Sequence, residues 1–171
     1  EINQTHDPVF MASEFVSGDS LARIKANNPG RLDEDFVRRV AKQLVQTAIA
    51  VRKQGLSLTE LTPSGIMVPE DSDQITILTS GIKYEEVDER EEVFNIGAIL
   101  AQLLSGNVLY KAVYNAEHLK VHKFSHIPGV TNSLNKILAD CLHRNILHRY
   151  TSLEALLKGL NGLPAIGKDE V

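Results

Sequence analysis

The sequence predicts a mainly α domain carrying a few short strands, and three observations predict it. Residues 36–51 place Phe36, Val37, Val40, Ala41, Leu44, Val45, Ala48 and Val51 at a spacing that gathers apolar side chains on one helical face. Residues 91–104 are apolar on almost every side, through Val93, Phe94, Ile96, Ala98, Ile99, Leu100, Leu103 and Leu104, so that helix belongs inside the core. The β-rich runs are short and bounded by turn formers: residues 8–16, and Gln74-Ile75-Thr76-Ile77-Leu78.

Taken in order, residues 8–16 read as a strand, and Ser17-Gly18-Asp19-Ser20-Leu21 turns into a short helix that stops before Asn28-Pro29-Gly30. Asp33 caps the long helix, Arg38, Arg39, Lys42 and Gln43 are expected on its outer face, and Gly55 ends it. Ser105-Gly106 closes the buried helix. Further helices are expected over residues 112–123 and 132–142, the second with Leu134, Ile137, Leu138, Cys141 and Leu142 on one face. Thr151-Ser152-Leu153-Glu154 is a capping box for the last helix, which carries Leu153, Leu156, Leu157 and Leu160, and the chain from Gly162 is expected to fray.

The 171 residues suit one domain, or the larger lobe of a two-lobed one, and 43% apolar residues suffice for a packed core. A net charge of -4 argues against a nucleic-acid surface, which needs a basic face. The single cysteine, Cys141, permits no internal disulfide and suits a reducing, cytoplasmic setting. No apolar run approaches the roughly 20 residues that cross a bilayer. The chain opens Glu1-Ile2-Asn3 with neither an initiator Met nor a signal-like segment, so excision from a longer parent, cytosolic or membrane-anchored, is expected.

The stretch Gly55-Leu56-Ser57-Leu58-Thr59-Glu60-Leu61-Thr62-Pro63-Ser64-Gly65-Ile66-Met67-Val68 follows the long helix, and the run Gln74 to Leu78 and Thr79-Ser80-Gly81 follow it. This order of helix, proline loop, hairpin and glycine resembles the catalytic-loop region of eukaryotic-type Ser/Thr protein kinases. Three further landmarks support the resemblance. Glu14-Phe15-Val16-Ser17-Gly18 resembles the hinge between the lobes. Glu92-Val93-Phe94-Asn95-Ile96-Gly97 resembles the start of the buried central helix, with Glu92 where an Asp normally braces the catalytic-loop backbone. Cys141-Leu142 followed by Arg149 resembles the large-lobe arginine motif. The resemblance covers about residues 8–160. It implies a protein-kinase-like C-lobe with the small lobe essentially absent: a last small-lobe-type strand and hinge over 1–18, the C-lobe over 19–160 and a tail over 161–171. The alternative is an unrelated helical domain with the same order of elements.

Laid on the family pattern, the frame is kept and the reactive groups are not. His-Arg-Asp is replaced by Leu58-Thr59-Glu60, the loop Lys by Thr62, the loop Asn by Gly65, and Asp-Phe-Gly by Thr79-Ser80-Gly81. Phosphoryl transfer needs an orienting carboxylate and oxygen ligands for Mg²⁺. Glu60 has a carboxylate on a longer stem, while Gly65 and Thr79 offer none. No phosphate loop or phosphate-gripping Lys precedes them, so no cofactor and no metal is expected. Three readings follow: an inactive kinase-homology module working as a binding or regulatory scaffold, an atypical kinase or ATP-binding enzyme using Glu60 with a small lobe supplied elsewhere, and a purely structural helical domain.

The acidic run Tyr84-Glu85-Glu86-Val87-Asp88-Glu89-Arg90-Glu91-Glu92 stands where active relatives carry a longer activation segment. It reads either as a solvated connector favouring a helix N-terminus, or as a docking surface (Glu85, Glu86, Asp88, Glu89) that also supplies a partner for Arg149, Glu86 first and Glu92 second. Leu58 is expected buried against the central helix. Phe10, Met11 and Phe15 are expected to form an exposed face covered by upstream sequence, a protein partner or a second copy of the chain. His118, His122 and His126 recur every four residues, which on one helix would suit a transition metal or simply a solvated face. His143-Arg144-Asn145 is expected to be the polar end of a helix, not a catalytic triplet.

Overall fold

The protein is described by a computed structural model, which covers residues 14–58, 61–70, 72–78, 82, 87–105 and 124–168, with the backbone of Ile2–Asn3 and Phe10–Met11. Strand β1 (Ile2–Asn3) pairs antiparallel with β2 (Phe10–Met11), Ile2 opposite Met11. Of the strand expected over residues 8–16, Phe10–Met11 is a strand with one partner, residues 14–16 lie outside any strand, and residues 8–9 and 12–13 lie outside the described residues. Strands β3 (Asp19–Ser20), β4 (Ile66–Val68) and β5 (Thr76–Ile77) form a second antiparallel sheet in the order β3-β4-β5. Asp19 faces Val68, and Ile66 faces Ile77. Gly18 sits at φ 104°, and a Cβ there would strike the Val68 carbonyl, so the turn into β3 requires glycine.

Five α-helices follow among the described residues: α1 (Leu21–Asn27), α2 (Glu34–Arg52), α3 (Glu89–Ser105), α4 (Asn132–Cys141) and α5 (Leu153–Asn161). Caps start them where small polar residues stand. Ser20 Oγ accepts the Arg23 N–H at 3.2 Å, and Asp33 Oδ1 accepts that of Phe36 at 3.0 Å. Helix α5 starts on Ser152, whose Oγ accepts Ala155 N–H at 3.1 Å. The predicted box begins one residue too early: with Ser152 as cap, the third helical position is Ala155, and Glu154 is not placed to reach back.

Helix α3 is the hub, packed by α2, α4 and α5, with Val93, Leu100, Ala101 and Leu103 fully buried. Its approach to α4 is close because Gly97 has no side chain: a Cβ there would come within 2.5 Å of Cys141 Cβ. Helix α2 buries Val37, Ala41, Leu44, Val45 and Ala48, as the spacing predicts.

Two expectations about α2 and the tail fail for one reason. Arg38 is buried rather than on the outer face. Its guanidinium donates to Glu34 Oε1 through Nε at 2.9 Å, to Thr131 Oγ1 through Nη2 at 2.9 Å and to the Pro164 carbonyl through Nη1 at 2.6 Å. The Glu34 carboxylate also accepts the Thr131 N–H at 3.0 Å, so the ion pair is hydrogen-bonded on both sides. The same network ties down Pro164, inside the segment expected to fray. The helix expected over 112–123 lies outside the described residues.

Candidate functional site

The loop after α2 is held from below. Gly55 leaves the helix at φ 73°, and the chain then drops Leu58 into the core, where it is fully buried. Leu58 N–H donates to Glu92 Oε1 at 2.8 Å, and Arg52 Nη1 donates to Glu92 Oε2 at 2.5 Å. Arg52 Nη1 also reaches the Val87 carbonyl at 3.1 Å, and Arg52 Nε lies 3.6 Å from Glu89 Oε1. The longer carboxylate at position 92 therefore bridges the end of α2 and the loop backbone, and it is itself completely buried. Thr59 and Glu60 lie outside the described residues.

Beyond them, Leu61 is buried, Thr62 is extended, and Pro63–Gly65 form a 3₁₀ turn. Gly65 N–H donates to the Thr62 carbonyl at 2.9 Å, and its own carbonyl accepts Leu78 N–H at 2.8 Å. Gly65 adopts no left-handed conformation, and the nearest atom to a Cβ built there is Thr62 Oγ1 at 3.7 Å. A side chain would fit at this position; the sequence supplies none. A cavity of about 160 Å³ lies beside the turn, lined by Ala22, Lys25, Pro63, Ser64, Gln102 and Leu103. Thr79, Ser80 and Gly81 lie outside the described residues.

Arg149 is buried, with its guanidinium carbon 4.3 Å above the Phe94 ring. Its Nε donates to the His143 carbonyl at 2.9 Å and its Nη1 to that of Arg90 at 3.3 Å. Burial pushes the guanidinium below its usual range, and Glu91 partly opposes that. Among the described residues no carboxylate forms an ion pair with it. Glu92, the second-choice partner, is occupied by Arg52 and Leu58; Glu86, the first choice, lies outside the described residues, as does Glu85.

Of the described acids of the connector, Asp88 and Glu91 are exposed, while Asp88 and Glu89 also make contacts within the fold. Asp88 Oδ1 accepts Arg90 N–H at 2.9 Å at the start of α3, and its side chain lies 3.3 Å from Arg90 Nη1. Glu89 Oε2 accepts Leu153 N–H at 2.9 Å and so secures the first turn of α5, with its side chain half-buried. Of the expected apolar face, Phe15 is 88% exposed, while the side chains of Phe10 and Met11 lie outside the described set. His118 and His122 lie outside it too. His126 precedes α4 and its Nε2 stands 3.1 Å from Asn132 Oδ1, and no group of three or more metal-ligating side chains occurs among the described residues. No described helix is long and apolar enough to cross a membrane.

Sequence reasoning missed Asn135. This buried side chain accepts Ile127 N–H at 2.8 Å and donates to the carbonyls of Ile127 and Val130 at 3.1 and 2.9 Å, fixing the loop before α4. An Asn among apolar residues at helical spacing was the available signal.

No family profile matches the chain. Among curated proteins, the serine/threonine-protein kinase cds1 of Schizosaccharomyces pombe is 31% identical over 71 residues, 42% of this chain and 15% of that protein. The sperm motility kinase Tcr mutant form of Mus musculus is 31% identical over 86 residues, 50% of this chain and 17% of that protein. The matched regions therefore span about a sixth of those relatives. Among solved structures, the Cydia pomonella granulovirus kinase PK-1 superposes with a TM-score of 0.70 at 14% identity, over 85% of this chain and 66% of that one. The chain has a protein-kinase-like fold, mainly helical, with the arrangement of that fold's large lobe.

Proposed function

We propose that this chain is a catalytically inactive kinase-homology module that works by binding a protein partner, or a neighbouring domain of its own parent, in cytoplasmic signalling. The observation that carries the reading is Gly65. The loop is held by Glu92 and hydrogen-bonded through Gly65 into the hairpin, yet the position that would supply a metal-ligating amide has no side chain. Mg²⁺ needs oxygen ligands placed against the phosphates, and Thr79 at the second ligand position brings a neutral hydroxyl. The exposed Phe15 supports a covered face, by a partner or a second copy of the chain.

The test is nucleotide binding. Thermal shift with ATP and Mg²⁺ should leave the melting temperature unchanged, whereas a ligand at 100-fold excess over Kd adds about 2.7 kcal/mol. The Gly65→Asn variant should fold as well as the parent, because Cβ meets only ordinary contact there. A Mg²⁺-dependent stabilisation of the natural chain would instead favour the atypical enzyme using Glu60.

A further inference from the structure

The turn between α4 and α5 holds two histidines against each other. The rings of His143 and His148 have centroids 4.6 Å apart and are tilted by 54°. Both side chains are exposed. The backbone between them is closed rather than slack. Asn145 Oδ1 accepts Leu147 N–H at 3.0 Å, His148 N–H donates to the Asn145 carbonyl at 3.0 Å, and Arg149 N–H donates to that of Ile146 at 3.2 Å. Below the turn, Arg149 anchors the His143 carbonyl. The spacing of the two rings is therefore set by a hydrogen-bonded turn over residues 145–149, with a buried cation beneath.

We propose that His143 and His148 form a two-histidine site for a divalent transition metal of the Zn²⁺, Ni²⁺ or Cu²⁺ class. Two imidazoles on one ion, with metal–nitrogen bonds of about 2.0–2.1 Å, place their ring centres on the order of 5 Å apart and inclined to each other, close to what the turn already provides. His143 has the outer partner that a metal-bound imidazole uses. Its Nδ1 lies 3.1 Å from the Asn145 N–H and 3.2 Å from the Asn145 carbonyl. With the proton on Nε2, Nδ1 accepts the N–H. With the proton on Nδ1, the ring donates to the carbonyl and Nε2 presents its lone pair outward. Metal binding selects the second tautomer, since a ligating histidine usually donates its other N–H to a carbonyl or carboxylate. The ligands are neutral imidazoles, which suits these borderline ions and not Mg²⁺ or Ca²⁺. Two protein ligands leave further positions to water or to a donor from a partner. Arg149 does not compete: its guanidinium is turned to the Phe94 face and the Arg90 carbonyl.

The test is calorimetric titration of the folded chain with ZnCl₂ and NiCl₂, in parallel with MgCl₂. One equivalent of Zn²⁺ should bind at this turn and Mg²⁺ should not. His143→Ala and His148→Ala should each weaken that binding by at least about tenfold, since changes merely adjacent to a ligand already cost 10–100-fold. Arg144→Gln should tighten it by removing a neighbouring positive charge. Both histidines are exposed, so the variants should keep the parent's melting temperature, which is measured alongside. The double variant His118→Ala/His122→Ala serves as the control for a site elsewhere. Absence of Zn²⁺ binding overturns the proposal, and so does binding lost in that control but kept in His143→Ala and His148→Ala.

Discussion

Glu92 accepts the backbone N–H of Leu58 across 34 residues of sequence, and the other oxygen of the same carboxylate takes Arg52 at the end of α2. One fully buried carboxylate thus joins the hub helix, the loop and the helix before it. Because the Glu92 carboxylate is buried, removing Arg52 leaves it to bear the cost of desolvation, and removing Glu92 leaves the buried Leu58 N–H without its acceptor. Glu92→Ala is expected to destabilise by about 3–5 kcal/mol in urea unfolding. An Arg52/Glu92 double-mutant cycle should show coupling of about 0.5–3 kcal/mol, and an Arg149/Glu92 cycle should be additive within about 0.5 kcal/mol. The reverse pattern would mean that Glu92 serves Arg149.

Leu58 is apolar and fully buried in the core. Truncation to Ala removes apolar contact and leaves a cavity beside α3, at about 2–5 kcal/mol. Equilibrium denaturation measures it. A cost below about 1 kcal/mol would show that the loop is not packed on the core.

Among the described residues, Arg149 combines burial with neutral hydrogen-bond partners, two carbonyls, and the Phe94 ring. Met keeps much of the contact with the ring while freeing the carbonyls of His143 and Arg90, so Arg149→Met is expected to cost about 1–3 kcal/mol. A loss of 5 kcal/mol or more in unfolding experiments would point to a carboxylate partner for this arginine.

Cys141 and Tyr150 make stability fall at alkaline pH. Burial pushes the Cys141 thiol far above its ordinary 9.0, and burial with the neighbouring Cys141 pushes Tyr150 from 10.0 up to about 12. Both groups ionise more readily in the unfolded chain. Above about pH 9 the unfolded state therefore binds fewer protons than the folded one, and stability drops by up to about 1.4 kcal/mol per pH unit for each group. Urea midpoints between pH 7 and pH 10.5 should stay level to about pH 8.5 and then fall. In Cys141→Ala the fall should begin later, with Tyr150. A rise above pH 9 would contradict the assignment.

The helices were legible because their signals are local. Asp33 before a 3.6-residue apolar rhythm, and Ser152 before Leu153, Leu156 and Leu160, place α2 and α5 within a residue or two. The hub helix was legible for a related reason: its lack of a polar face leaves burial as the only stable arrangement. The order of loop and hairpin was likewise readable, because it depends on which residue types stand at which spacing.

The pairings were not legible, and the reason is physical. Sequence spacing tells which side chains share a face, but not which distant group meets them there. Arg38 sits where α2's rhythm puts solvent, yet Thr131 and Pro164 close over it and make it an interior cation with Glu34. Glu89 and Glu92 stand in one acidic run, and tertiary contact sends one to the start of α5 and the other to Leu58 and Arg52. The sequence by itself determined the mainly helical kinase-like frame. Only the tertiary structure decided which charges are buried and what they hold, because desolvation and partner distance are set by elements far apart in the chain.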